Sequence, residues 1–335
     1  MNNIGILGAG TWGIALAKML CNTGKEVTVW SALEDEITFL KKENHHPKFP
    51  HTDLPAGIRY TYRIEDACRD KDIIMFAVSS VFVRQTAAKI KPFIKDDQII
   101  VDVAKGIEPD TLMTLTEVIA DELDNSGVRL VALSGPTHAE EVIRDMPTTI
   151  VSACEDMDTA AYVQRFFSSP FMRVYTNTDV RGIEICGAMK NIIALATGIS
   201  SGLGYGDNAR AALITRGLAE LSRLGEKTGS SPHTFSGLAG MGDLIVTCTS
   251  MHSRNNRAGY LIGQGLKPDK AIKQVGMVVE GINALPAAVS LAEKYKVEMP
   301  IVFAVNDIVN HGMKPLDAVN ALLGRELKNE VPLRF

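Results

Sequence analysis

An apolar run, Ile4 to Leu7, leads directly into Gly8-Ala9-Gly10-Thr11-Trp12-Gly13, and a helical pattern continues from Ile14 to Leu20. Strand, Gly-x-Gly-x-x-Gly and helix in that order suit a dinucleotide pyrophosphate. Gly8 permits the tight turn off the strand. Gly10 lets the backbone approach the phosphates with no side chain in the way, and Gly13 lets the helix lie close on the strand. The helix N-terminus then points its N–H groups at the anion. Gly24 closes the helix after Asn22-Thr23, and Val27 to Trp30 supplies a second strand, completing a β-α-β unit of roughly thirty residues.

The alternation continues through the first half. Strand-like runs cover Asp72 to Val78, Gln98 to Val103, Val128 to Leu133, Thr148 to Ser152 and Arg173 to Tyr175. Helical runs cover Val81 to Ile90, Thr111 to Asp121 and Ala160 to Phe167. Continuous apolar strands between helices predict a mostly parallel sheet covered on both faces. From about Val180 the pattern turns helical, over Gly187 to Thr197, Ala209 to Thr228, Ala284 to Lys294, Val302 to Asn310 and Pro315 to Leu323. The expected fold is α/β. Residues 1–179 form a Rossmann-like, doubly wound, mostly parallel sheet that binds the dinucleotide; residues 180–335 form an all-helical substrate-binding and catalytic domain. Ligands of such a sheet bind beyond the carboxyl ends of its strands, which places the substrate in the cleft between the two.

A chain of 335 residues can bury two separate cores. A net charge of −4 with no basic run argues against nucleic acid as a partner. No apolar stretch stands out as the ~20 residues a membrane span requires. The opening strand leaves no room for a signal peptide, and the five scattered cysteines (Cys21, Cys68, Cys154, Cys186, Cys248) read as reduced thiols, so the expected location is cytoplasmic. His45 and His46, flanked by Lys41, Lys42 and Lys48, read as solvated surface, and no spacing supports a metal.

Three strand-end loops of the first half converge on the cleft: the glycine turn, Lys105-Gly106 and Ser134-Gly135-Pro136-Thr137. Lys105, just past an apolar strand, is placed to touch a ligand phosphate or substrate oxygen, against the plainer reading of a solvated loop lysine. Thr137 reads as the N-cap of a helix. Lys190 sits inside the apolar helix Gly187-Ala188-Met189-Lys190-Asn191-Ile192-Ile193. Burial there lowers an ammonium pKa and favours proton exchange near neutrality; a lysine snorkelling at a domain surface fits the same pattern. Gly240 to Thr247, then Ser253-Arg254-Asn255, reads as a glycine-rich loop followed by polar residues. One planar guanidinium with neutral donors suits a phosphate monoester, and an ordinary loop is the plain alternative.

Taken together, these motifs resemble the bacterial NAD(P)-dependent sn-glycerol-3-phosphate dehydrogenase family. Matching segments run from Gly8 to Gly13, Ala104 to Glu108, Ser134 to Glu140, Lys190-Asn191, Gly198 to Asn208, Gly237 to Thr247, Ser253 to Asn255 and Val279 to Gly281. The resemblance implies reversible hydride transfer between a nicotinamide and C2 of dihydroxyacetone phosphate, giving sn-glycerol 3-phosphate for phospholipid synthesis. It implies Lys190 as general acid–base, Lys105 stabilising the alkoxide, and Asp243 orienting Lys190 or a substrate hydroxyl. Gly135, Thr137, Ser253, Arg254 and Asn255 match substrate contacts. Thr11, Trp12, Lys105, Ala139, Arg254, Val278 and Glu280, with Gly8, Gly10 and Gly13, match cofactor contacts. A homodimer is a further family expectation. At Ala32, two positions past Trp30, the family often carries a basic residue that meets the 2′-phosphate of NADP; with Glu34 nearby, NAD preference or dual use is expected. A β-hydroxyacid-type dehydrogenase and a catalytically inactive nicotinamide-binding sensor are the alternatives. The phosphate-suited Arg254 stretch opposes the first; the presence of Lys190, Lys105 and Asp243 opposes the second.

Overall fold

The computed structural model describes residues 2–124, 127–250, 252–327 and 329–330. In the first half, β1 (Asn3–Leu7), α1 (Thr11–Asn22), β2 (Glu26–Trp30), α2 (Glu34–Glu43) and β3 (Arg59–Thr61) wind one way. The chain then crosses back to β4 (Ile73–Phe76), α3 (Val83–Ile90), β5 (Ile99–Asp102), α4 (Leu115–Leu123) and β6 (Arg129–Ser134). It finishes with α5 (Ala139–Val142), β7 (Thr148–Ala153), α6 (Met157–Phe167) and β8 (Met172–Asn177). One eight-stranded sheet results, in the order β3-β2-β1-β4-β5-β6-β7-β8. Every pairing is parallel except β6 with β7. The antiparallel pair needs no full crossover helix, and only the one-turn α5 lies between them. β4 and β5 are buried along their whole length because helices cover both faces.

The order reverses between β1 and β4, so the crevice of this sheet opens at the carboxyl end of β1, where the glycine turn lies. Gly8 has φ +123°, and a Cβ there would stand 2.6 Å from the Ala77 carbonyl oxygen beyond β4. A Cβ on Gly13 would stand 2.2 Å from the Gly8 carbonyl oxygen, so α1 lies hard against the turn.

The second half is helical among the described residues: α7 (Val180–Gly202), α8 (Asp207–Lys227), α9 (Pro232–Phe235), a π-helical turn at Leu238–Gly242, then α10 (Asp243–Thr249) and α11 (Arg254–Gly263). α12 (Pro268–Val275), α13 (Glu280–Tyr295), α14 (Pro300–Asn310) and α15 (Pro315–Leu323) complete it. α7 runs through the middle, packed on α8, α10, α11, α13 and α14. At 23 residues it is long and apolar enough to cross a bilayer, which corrects the expectation of no such stretch; its apolar window is wholly buried by the neighbouring helices. α11 lies against it through small residues. A Cβ on Gly198 would come within 2.1 Å of the Asn256 carbonyl oxygen, and one on Gly259 within 2.2 Å of that of Leu195. That closeness brings the first turn of α11 beside the middle of α7.

Some element boundaries move. The helix expected from Thr111 starts at Leu115, because Leu112 adopts φ +61° and the Thr114 N–H donates to the Glu117 carboxylate (2.9 Å), setting the helix start there. His46 is 6% exposed rather than solvated. Its Nδ1 accepts from the Lys48 N–H (3.1 Å), its ring lies against Phe49, and burial pushes its pKa down to about 4.

Candidate active site

Three groups expected to converge do so through one carboxylate. Asp243, the first residue of α10, is 1% exposed. Its Oδ2 accepts from Lys105 Nζ (2.7 Å) and its Oδ1 from Lys190 Nζ (2.5 Å). Lys105, three residues past the end of β5, also donates to the Gly135 carbonyl (3.0 Å) and to Thr137 Oγ1 (3.3 Å). Lys190, on α7, also donates to Thr247 Oγ1 (2.7 Å), whose own proton goes to the Asp243 carbonyl (2.6 Å). Neither plainer reading of the lysines survives: the Lys105 side chain is 17% exposed, and that of Lys190 is 8%.

One buried and one partly buried ammonium group share one carboxylate, so the cluster carries a net positive charge when both are protonated. Burial dominates at Lys190 and pulls its pKa down to about 8; Lys105 pushes the same way, while Asp243 opposes both. With two N–H bonds spent on Asp243 and Thr247, the third has no hydrogen-bond partner among the described residues. This is a proton donor poised near neutrality.

A closed ring of contacts surrounds the cluster. Asn191, next to Lys190, accepts at Oδ1 from Asn255 Nδ2 (2.9 Å), and Asn255 Oδ1 accepts from the Gly281 N–H (2.8 Å). Glu280, beside Gly281, accepts from Ser80 Oγ (2.7 Å). Ser80 in turn packs on Gly106, where a Cβ would stand 2.4 Å from the Ser80 Cβ. Gly106 leads back to Lys105. The ring ties α7, α11 and α13 of the helical half to two strand-end loops of the sheet.

Other expected residues are placed as follows. Ser253 caps α11, its Oγ accepting from the Asn256 N–H (3.2 Å), and Arg254 opens that helix. Arg254 has no ion pair among the described residues. Trp12 packs on the core cluster that includes Ala139, the first residue of α5, and Val278 is exposed just ahead of α13. Gly10 is the N-cap residue of α1, with no side chain capping that end and no heavy atom within 4 Å of a Cβ placed on it.

Two expectations need correction. Thr137 does not cap a helix: His138 precedes α5, and the Thr137 hydroxyl donates to the Gly135 carbonyl (3.0 Å) under Lys105. Gly240 to Thr247 is not a loop but a π-helical turn running into α10. That helical register puts Thr247 one turn beyond Asp243, where it reaches Lys190. The Asn255 amide donates one hydrogen to Asn191 and accepts from the Gly281 N–H, so it also holds the ring together. Thr247 and the Asn191–Asn255–Gly281 chain were not singled out for these roles by sequence reasoning; only the i, i+4 spacing of Asp243 and Thr247 could have signalled the first.

Known proteins resemble this chain along nearly its whole length. The family model for the NAD-dependent glycerol-3-phosphate dehydrogenase N-terminus matches residues 3–160, and that for its C-terminus matches residues 179–320. The chain belongs to the NAD-dependent glycerol-3-phosphate dehydrogenase family. A Lactobacillus delbrueckii subsp. bulgaricus relative, glycerol-3-phosphate dehydrogenase [NAD(P)+] 2, is 62% identical over 99% of both chains. An Agathobacter rectalis glycerol-3-phosphate dehydrogenase [NAD(P)+] is 50% identical over 98% of both. The crystal structure of glycerol-3-phosphate dehydrogenase from Coxiella burnetii superposes with a TM-score of 0.92 at 36% identity, covering 97% of this chain and 99% of that one. Membership in the glycerol-3-phosphate dehydrogenase family sets aside the β-hydroxyacid-type alternative.

Proposed function

We propose that this chain interconverts dihydroxyacetone phosphate and sn-glycerol 3-phosphate at the Lys105–Asp243–Lys190 cluster, using a nicotinamide dinucleotide. The observation that carries the reading is Lys190: a buried ammonium with a pKa near 8, held by a carboxylate, with one N–H left for a substrate oxygen. A dinucleotide fits the residues at the switch point, where Gly10 leaves its side-chain space open and nothing caps α1. When bound, it supplies or accepts the hydride.

The chain's own groups do the rest. Lys190 gives its proton to the C2 oxygen as negative charge develops there, and takes it back in the reverse direction. Lys105 adds fixed positive charge in a site of low dielectric, where it favours the alkoxide and keeps the Lys190 pKa low. Asp243 aims both ammonium groups, because each of its oxygens is bound to one of them. Arg254, free of ion pairs among the described residues, is the fork for the substrate phosphate, with Ser253 and the first turn of α11 beside it. Glu280, Val278, Ala139, Trp12 and Thr11 line the dinucleotide side. An intact acid–base group supports the enzyme over an inactive sensor. The same reading carries a cytoplasmic location, a role in supplying phospholipid synthesis, and a homodimer.

The test is dihydroxyacetone phosphate-dependent oxidation of NADH or NADPH. Wild type should turn over and Lys190→Ala should lose ~10²–10⁴-fold in kcat. Near-normal turnover by the variant rules out the acid–base role.

A further inference from the structure

We infer that Glu36, held in place by Ser31, is the residue that selects the dinucleotide's ribose end and turns this chain toward NAD(H) over NADP(H). The inference rests on the dinucleotide reading above and adds the group that reads its 2′ position.

The carboxyl end of β2 is fixed relative to the glycine turn, because the Gly8 N–H donates to the Trp30 carbonyl (2.8 Å). In folds of this kind the ribose 2′ position lies at that strand end, read by a carboxylate that accepts from the hydroxyl or by a cation that meets a phosphate. Neither occupies the strand end in the sequence: Trp30 is followed by Ser31 and Ala32. Glu34, the nearest acid in sequence, begins α2 and is exposed, with no hydrogen bond to the strand end.

The carboxylate comes instead from Glu36, two residues further on in α2. Ser31 is 5% exposed, and its hydroxyl accepts from the Leu33 N–H (3.1 Å) and donates to Glu36 Oε2 (2.5 Å). The serine therefore has its proton committed, and it draws the Glu36 carboxylate back from α2 onto the end of β2. The other oxygen of Glu36 has no hydrogen-bond partner among the described residues. It is an acceptor for a 2′-hydroxyl. The same charge repels a 2′-phosphate, and Glu34 and Asp35 in the same helical turn add to that field. Among the described residues no cation pairs with Glu36; Lys89 stands over the Trp30 ring, with its Nζ 6.0 Å from the centroid.

Direct binding tests this without relying on turnover. The two tryptophans, Trp12 and Trp30, both flank the glycine turn, so quenching of protein fluorescence reports NADH and NADPH binding. Wild type should bind NADH at least tenfold more tightly than NADPH. Glu36→Gln should shrink that ratio at least fivefold, mainly by tightening NADPH. Ser31→Ala, which frees the carboxylate, should shift the ratio the same way by less. Wild type binding NADPH as tightly as NADH, or Glu36→Gln leaving the ratio unchanged, overturns the inference. The stated ratio without any dihydroxyacetone phosphate turnover would support Glu36 and remove the proposed reaction. Binding of neither dinucleotide would overturn both.

Discussion

At the scale of single residues, the site turns on one buried anion shared by a buried and a partly buried cation. Removing that anion is costly in a defined direction. Asp243→Asn keeps the shape but lets only the amide oxygen accept, leaving two ammonium groups with one neutral acceptor between them. Its kcat should fall ~10²-fold or more, and the pH above which reduction declines should move below that of wild type, because Asp243 is what holds the Lys190 pKa up. A pH–rate profile of the variant checks this; an unmoved profile would mean that Asp243 does not act on Lys190. Much of this chemistry was legible in sequence. A lysine inside Gly187 to Ile193 advertises desolvation, and Lys105 advertises itself by following an apolar strand. Asn255 was harder, since a polar residue beside an arginine gives no sign that its amide also bonds Asn191 and Gly281. Glu36 was hidden for a similar reason: a side chain folded back onto Ser31 leaves no mark on strand-end composition.

At the scale of elements, the close pairing of α7 and α11 sets the first turn of α11, which Arg254 opens, beside the middle of α7. Gly259→Ala would put a methyl group 2.2 Å from the Leu195 carbonyl oxygen, so the two helices must separate. Overpacking of this kind costs about 1–3 kcal/mol. Urea unfolding should show that loss, and the KM for dihydroxyacetone phosphate should rise as α11 moves; an unchanged midpoint would show that the contact has slack. The elements missed in sequence share a cause. β3 is a three-residue edge strand, too short to show alternation; α10 and α12 are only seven and eight residues long, and α11 carries Asn and Gly, which punctuate loops as readily as they open helices. The central strands and α7, by contrast, are long apolar runs whose burial dictates their form.

At the scale of the whole molecule, the helical half is joined to the sheet by buried polar contacts as well as by apolar packing. Glu184 of α7 accepts from the Thr116 N–H (2.8 Å) and hydroxyl (2.5 Å) of α4. Burial pushes its pKa up from 4.5 to about 6, and the buried Asp102 carboxyl nearby is pushed up as well, by burial and by Glu184. A carboxyl whose folded pKa exceeds its unfolded one binds its proton more tightly when folded, so stability declines as pH rises from about 4.5 to 6. Glu184→Gln removes that titration. Relative to the variant, wild type should lose about 2 kcal/mol over this interval, read as Tm against pH. Parallel Tm curves would mean that Glu184 does not titrate there.

The central claim is that Lys190 moves the proton. The pH dependence of kcat/KM in both directions tests it most directly. Reduction of dihydroxyacetone phosphate needs the ammonium form and should be flat below, then fall above, a pH of about 8; oxidation of sn-glycerol 3-phosphate needs the amine and should rise through the same pH. Profiles that move together, or that stay level from pH 7 to about 9 in both directions, would contradict it.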